Sequence, residues 1–256
     1  MFHDYFYLNP NRVIKEVKLP EKIGSIYIIE DLYLEPDRVV WLANQLNYSG
    51  FSNNAQFKRY IGERATVSVL HEDLKKIVHS LTNTSLPLTA FRPVETLFTK
   101  FNTSDIKDMD VRQFVPHVDN DSITSSLIYL FDDRNLEFGG TAFYKHKPSG
   151  LSVLPHFPNE EVSSLMKKES LNPSLKADFV KYIKNIMYSE LDVMERHPGF
   201  TGLPQSSKCW ELLYMAKPKY NSQIVFPAQI FHSPVIQSTE HRKNERLTQN
   251  IFLRAK

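Results

Sequence analysis

His117 and Asp119 stand one residue apart in the run Pro116-His117-Val118-Asp119, and a second histidine, His232, follows far downstream in Phe231-His232-Ser233-Pro234. Two histidines and a carboxylate are the ligand set that holds a non-haem Fe(II) by one triangular face and leaves the opposite positions open. In an extended segment residues i and i+2 point to the same side, so one ion can take both His117 and Asp119, with Pro116 helping to fix the extended entry. Beyond His232, Arg246-Leu247-Thr248 opens an apolar stretch. Arg246 and Thr248 form another i, i+2 pair. A guanidinium binds a carboxylate through two parallel hydrogen bonds, and a hydroxyl adds a third. The combination points to a metal with a small dicarboxylate beside it, and so to iron-dependent oxygen chemistry.

An isolated H-x-D is common on protein surfaces; context gives this one its weight. It precedes a strongly β-forming segment, His232 closes the apolar run Val225 to His232, and Arg246 opens another apolar strand. Arg242 and Arg254 compete with Arg246 for the clamp, but the first sits in a polar turn and the second close to the last residue. Tyr129, in the strand after the first ligands, is placed to hydrogen-bond the cosubstrate. Thr141 and Tyr144 are candidates for the pocket lining, and Gly139-Gly140 before them suits a bend or close backbone approach. Asp121 reads as a supporting or loop residue. Cys209, beside Trp210, reads as a buried inert thiol. The other histidines lack a matched partner and default to structural or surface roles.

The elements that must position these residues follow from periodicity. Ser25 to Ile29 reads as a strand, residues 36–47 as a helix opened by Glu35-Pro36-Asp37, and Glu72 to Leu81 as a second helix. Residues 1–22 read as mixed and irregular at first, and Asn53 to Arg64 as a loop. Strands are expected at 94–102, 123–131, 139–144, 210–216, 223–227, 231–236 and 246–253, with a turn at 132–135. Residues 146–209 interrupt the strands with prolines and one helix from Ser174 to about Glu195, a natural place for a substrate lid. Short antiparallel strands without βαβ alternation predict an α+β fold. Its core is a double-stranded β-helix (jelly roll, cupin-like) over 91–256, with an N-terminal α/β cap over 1–90 and the helical insertion at about 146–209.

Composition narrows the function classes. The 256 residues are 41% hydrophobic and 23% charged, enough for a real core, and the net charge is +2. Charge runs are short, so nucleic acid is not an expected partner. The single cysteine excludes an intrachain disulfide and fits a reducing cytoplasm. No stretch approaches the roughly 20 apolar residues that span a bilayer, so no membrane partner is expected. A small molecule or peptide is the expected partner, and the oligomeric state is left open, a homodimer included.

With His117-Val118-Asp119, His232 and Arg246-Leu247-Thr248 in this order, residues 94–254 resemble the Fe(II)- and 2-oxoglutarate-dependent dioxygenases of the prolyl-hydroxylase-like kind. The Glu137 to Tyr144 run looks like that superfamily's strand after the first ligands. The Ile29 to Asp37 pattern and the Asn221 to Pro227 block look similar to a poorly characterised bacterial branch. The resemblance implies Fe(II), 2-oxoglutarate and O2 as cofactor and cosubstrates. It also implies His117, Asp119 and His232 as metal ligands, and Arg246 with Thr248 on the far carboxylate of 2-oxoglutarate. The activity it implies is hydroxylation of an unactivated C–H in an amino acid, a peptide side chain or a small natural product, with release of succinate and CO2. Asp119 favours hydroxylation over halogenation, because halogenating relatives typically carry a small residue there. Thr248 departs from the frequent serine but keeps the hydroxyl. A cofactor-free cupin-type oxygenase or isomerase, a zinc hydrolase and a non-enzymatic metal-binding jelly roll are the alternatives.

Overall fold

The computed structural model describes residues 5–20, 23–49, 62–67, 72–81, 87–92, 96–102, 110–119, 122–131, 139–197, 200–236, 245–254 and 256. In chain order the elements are β1 (Val13–Lys18), β2 (Ser25–Glu30), α1 (Pro36–Asn44), β3 (Glu63–Val67), α2 (Glu72–Leu81), β4 (Thr96–Asn102) and β5 (Thr124–Tyr129). They continue as β6 (Gly140–His146), α3 (Glu160–Lys168), α4 (Lys176–Met187), α5 (Leu191–Glu195), β7 (Trp210–Ala216), β8 (Ser222–Pro227), β9 (His232–Val235) and β10 (Glu245–Leu253). The strands form two antiparallel sheets, ordered β1-β2-β8-β5-β10-β4-β3 and β7-β6-β9. The chain is thus a mixed α/β protein, mostly antiparallel. Strands from the first 90 residues belong to the larger sheet, where β2 pairs with β8 and β3 with β4.

Alternation along β10 explains how the larger sheet is used. Leu247, Ile251 and Leu253 point to one face and pack with Val39 and Leu42 of α1 and Leu74 and Val78 of α2. Arg246, Thr248, Asn250 and Phe252 point to the other face and line a cavity. A one-residue slip would exchange the two sets, putting a guanidinium into the apolar layer, so the register of β10 is strongly specified. The smaller sheet is sided in the same way. Phe143 packs with Tyr129, Ile224 and Phe226 of the larger sheet. Ala142, Tyr144 and Trp210 pack instead with Val162 and Met166 of α3 and Phe179 and Ile183 of α4. Gly140 begins β6 with φ +124°, and a Cβ there would lie 1.9 Å from the Ala216 carbonyl oxygen. The close backbone approach expected of the Gly-Gly pair is present at this residue.

The Ile29 to Asp37 pattern and the Asn221 to Pro227 block meet in space. Asn221 accepts from the Tyr33 N–H and donates to the Tyr33 carbonyl, both at 2.9 Å. The Leu32 N–H donates to the Asn221 carbonyl, and the Tyr33 hydroxyl donates to Gln249 of β10 at 2.9 Å. Asn221 holds φ +58°, a conformation that asparagine tolerates better than most side chains. These residues lock the β2–α1 connection onto the turn before β8, so their role is architectural.

Several elements differ from expectation. α1 ends at Asn44 rather than 47, because the Gln45 and Leu46 N–H groups turn back onto the Leu42 and Ala43 carbonyls. β1 lies in the mixed stretch 1–22, where no strand was expected. Its residues are mostly exposed on a sheet edge, so no apolar alternation marks it. The single helix expected from 174 to 195 is broken into α4 and α5. At the break Glu190 turns inward, accepting from the Ser207 hydroxyl and from the Cys209 N–H at 2.9 Å, which ties the insertion to β7. α3 was not expected. Its signals are the Asn159 cap accepting from Val162 N–H at 2.9 Å, Glu160 and Glu161 in the first turn and lysines in the last. The expected turn at 132–135, most of the 53–64 loop, Asp121 and Arg242 lie outside the described residues. No helix among the described residues is long and apolar enough to cross a membrane.

His146, at the end of β6, supplies a pH prediction. Burial pushes its imidazole down to about 4, from an ordinary value near 6.5. The unfolded chain therefore binds one more proton than the folded chain between those values, so stability falls as pH drops from about 6.5 towards 4. Urea unfolding of His146→Gln is expected to show a pH slope shallower by up to one proton in that window. An unchanged slope would show that His146 does not carry it.

Candidate metal centre and its cavity

The segment before β5 and the strand β9 are joined at the two histidines. The His117 N–H donates to the His232 carbonyl and the His232 N–H donates to the His117 carbonyl, each at 2.9 Å. Two positions on, the Asp119 N–H donates to the Ala228 carbonyl at 2.9 Å. The H-x-D segment therefore runs antiparallel along the edge of the smaller sheet, which brings together residues far apart in sequence. One ligand atom from each of His117, Asp119 and His232 lies within 4.8 Å of the others.

The protonation pattern suits a divalent ion. The Nδ1 of His117 lies 3.0 Å from the Val115 carbonyl and that of His232 lies 2.9 Å from the Ile230 carbonyl. A carbonyl only accepts, so each Nδ1 carries a hydrogen and Nε2 is the ring atom left to meet a metal. Metal-bound histidines commonly have this support from the second nitrogen. Burial pushes the His117 imidazole down to about 4, and the neighbouring His232 pushes the same way, so it stays neutral near pH 7. Burial pushes the Asp119 carboxyl up, but His232, His117 and the Ser125 hydrogen bond outweigh it and hold the carboxyl well below the usual range. The donor set is thus two imidazoles, each held through Nδ1, and one carboxylate, which fits Fe(II). Phe226 packs edge-on against His232 with ring centroids 4.7 Å apart, fixing its plane.

Ser125, in β5, donates to Asp119 Oδ2 at 2.5 Å. Sequence reading did not single it out; the available signal was its place on the face that carries Tyr129. Ser125→Ala leaves the three ligands in place but frees the carboxylate to rotate. Fe(II) affinity, measured by chelator competition, is expected to fall about 10- to 100-fold. Unchanged affinity would show that Ser125 does not orient Asp119.

Arg246 and Thr248 line the same cavity of about 760 Å³ as the three candidate ligands. Arg246 is 7% exposed, and among the described residues no carboxylate pairs with it. Its guanidinium is set among aromatic rings, with its carbon 4.9 Å from the Phe131 centroid, 5.8 Å from Tyr129 and 6.0 Å from Phe101. Burial lowers its pKa, offset in part by Tyr129. Tyr129 is fully buried, and its hydroxyl shares a hydrogen bond of 2.9 Å with Thr141 Oγ1. Thr141 lines the cavity, as expected. Tyr144 does not. The alternation of β6 turns it to the opposite face, where its hydroxyl donates to the Leu203 carbonyl at 2.7 Å. Arg254 also lines the cavity, from the far end of β10. Cys209 is buried, and burial and Glu190 raise its pKa, as suits an inert thiol. From the insertion, Val180, Ile183, Lys184 and Met187 of α4 form part of the wall, so the 146–209 segment does shape the cavity.

Residues 10–191 match the family of unknown function designated DUF6445, and the chain belongs to that family. The match includes His117 and Asp119 and ends before His232 and Arg246. No curated protein matches. Among solved structures, the chain is similar to a prolyl 4-hydroxylase from Phytophthora capsici at 10% identity and a TM-score of 0.41. That alignment covers 90% of this chain and 58% of the other, so this chain spans less than two thirds of that protein's length.

Proposed function

We propose that the chain is an Fe(II)- and 2-oxoglutarate-dependent dioxygenase that hydroxylates an unactivated C–H of an amino acid, a peptide side chain or a small natural product. The observation that carries this reading is the pairing, on one cavity, of the His117-Asp119-His232 cluster with a buried arginine that lacks a carboxylate partner among the described residues. A buried cation is costly unless it is paired, so Arg246 calls for an anion. In this reading the two sheets are unequal halves of a double-stranded β-helix, with residues 1–90 as its cap and 91–256 as its catalytic core, working in the cytoplasm.

The metal would be held by Nε2 of His117 and His232 and by the Asp119 carboxylate. When bound, Fe(II) with 2-oxoglutarate supplies the oxygen activation, with succinate and CO2 as coproducts. The residues of the chain do the rest. Val115, Ile230 and Ser125 orient the ligands. Arg246 and Thr248 take the far carboxylate of the cosubstrate, and the Tyr129–Thr141 pair fixes that wall of the cavity. Phe226 and α4 keep water from the reacting face. Asp119 is the only carboxylate lining the cavity among the described residues, so a hydrolase would lack a separate general base beside the metal.

Aerobic incubation with Fe(II), ascorbate and 2-oxoglutarate, with succinate quantified across amino-acid, peptide and natural-product panels, tests the reading. Succinate stoichiometric with hydroxylated product is expected. Oxidised product without consumption of 2-oxoglutarate would instead establish the cofactor-free oxygenase.

A further inference from the structure

Asn250 faces the cavity from the middle of β10, between the arginine clamp and the level of the metal ligands. Asparagine is depleted in strands, because its amide competes for backbone groups. This one stands in a central strand, paired with Leu97 of β4 on one side and Leu127 of β5 on the other. Its Nδ2 donates to Thr99 Oγ1 at 3.0 Å and to the Leu97 carbonyl at 3.4 Å. A carbonyl only accepts, so the second contact fixes which end of the amide turns into the sheet. Both amide hydrogens are then used, and among the described residues nothing donates to Oδ1. The carbonyl oxygen is the polar atom that Asn250 has left for the cavity.

Tying β10 to β4 needs only the nitrogen and leaves the oxygen without a use. Hydroxyls on the same wall already have partners. Ser125 donates to Asp119, Ser126 accepts from Gln223, and Thr141 shares its hydrogen bond with Tyr129. The cosubstrate cannot supply the missing donor. At neutral pH 2-oxoglutarate is a dianion with acceptor oxygens only, and an acceptor set against an acceptor repels it.

Register places this oxygen for a different ligand. Phe252 is paired with Ser125, the residue bonded to Asp119, so the metal ligands lie near the level of Phe252. Asn250 stands two positions before that level, roughly 7 Å along the strand. A group received there lies within a few bonds of a carbon held at the metal. The cavity of about 760 Å³ falls in the range of roughly 300–1,000 Å³ that holds drug-sized ligands, with room beyond a five-carbon diacid. Lys184, Arg246 and Arg254 line it, and Asp119 is its only anionic side chain among the described residues. An ammonium is disfavoured in such a lining, so the donor that fits is a neutral one.

We propose that Asn250 is a specificity-determining residue and that the primary substrate presents a neutral donor, an amide N–H or a hydroxyl, to its Oδ1. The C–H to be oxidised then lies a few bonds from that donor. This deepens the proposed function by naming a chemical class for its substrate, and it rests on that reading for the oxidation but not for binding. The test is calorimetric titration of the full chain with two matched pairs of probes. N-methylbenzamide is set against N,N-dimethylbenzamide, and benzyl alcohol against benzyl methyl ether, with benzylamine as the cationic comparison. Their apolar ring suits the wall formed by Val180, Ile183 and Met187 of α4. Wild type, Asn250→Val and Asn250→Asp are compared, each with and without Fe(II) and 2-oxoglutarate under anaerobic conditions. Valine favours strands and is close to asparagine in size, so the first variant is expected to fold. In wild type at least one donor probe is expected to bind about tenfold more tightly than its methylated partner. That preference is expected to disappear in Asn250→Val and to persist in Asn250→Asp, which keeps an acceptor. Damage to the fold would weaken both members of a pair alike and leave their ratio unchanged. Preference within the first pair indicates an amide, and within the second a hydroxyl. The proposal is overturned if neither donor probe outbinds its methylated partner, if the preference survives Asn250→Val, or if benzylamine outbinds benzyl alcohol. Donor preference in a chain that never binds 2-oxoglutarate would sink the dioxygenase reading and leave the donor subsite standing.

Discussion

Asp119→Ala and His232→Ala are each expected to abolish stoichiometric Fe(II) binding and to reduce turnover by well over a hundredfold. Loss of a partner that merely orients a metal ligand costs about 10- to 100-fold, so loss of a ligand costs more. The cause must be the site and not the fold. Asp119→Ala removes the hydrogen bond from Ser125 and the 3.5 Å contact with His232 Nε2, a stability change of about 1.5–3 kcal/mol. His232→Ala opens a gap against Phe226 and is the riskier change. Metal content after anaerobic reconstitution, measured beside a thermal unfolding curve, separates the two causes. A folded Asp119→Ala chain that retains iron and full turnover would remove Asp119 from the ligand set.

The second large effect concerns Arg246. Arg246→Met is expected to raise the KM for 2-oxoglutarate by about 30-fold or more, because truncating one partner of a buried charge pair costs about 2–5 kcal/mol. The same substitution should not destabilise the ligand-free protein. Desolvation of a buried ion costs several kcal/mol, and the attraction of Phe101, Tyr129 and Phe131 for the guanidinium returns about 2 kcal/mol. An apolar side chain of similar length escapes that cost. A Tm at or above wild type without cosubstrate, together with loss of the rise in Tm that 2-oxoglutarate gives wild type, would bear this out. An unchanged KM would hand the clamp to Arg254, at the other end of β10, or to Arg242.

The ligand cluster was legible because its chemistry is local. The i, i+2 spacing of His117 and Asp119 survives in an extended segment, and the apolar run into His232 marks a buried strand. Arg246 and Thr248 were legible for the same reason, since strand periodicity of two sets a shared face wherever the strand goes. Contributors that depend on pairing were not. Ser125 reaches Asp119 only because β5 starts beside the H-x-D segment. Tyr144 was misjudged because sequence proximity to Thr141 does not reveal which face of β6 each occupies. In the insertion, α4 and α5 read as one helix because apolar spacing runs through Tyr188, while the break is imposed by the inward turn of Glu190 onto Ser207 and Cys209. The Asn221 block and the Tyr33 motif were visible as patterns, but their mutual hydrogen bonds belong to the fold.

The measurement that tests the central claim most directly is an anaerobic titration of the chain with Fe(II) and then 2-oxoglutarate, followed by visible absorption. Chelation of the metal by the cosubstrate within the site is expected to give a weak metal-to-ligand charge-transfer band. The band should saturate at one equivalent, vanish in Asp119→Ala and require far more 2-oxoglutarate in Arg246→Met. Iron bound at His117, Asp119 and His232 without any such band would contradict the account and point to a metal oxygenase that uses no 2-oxoglutarate.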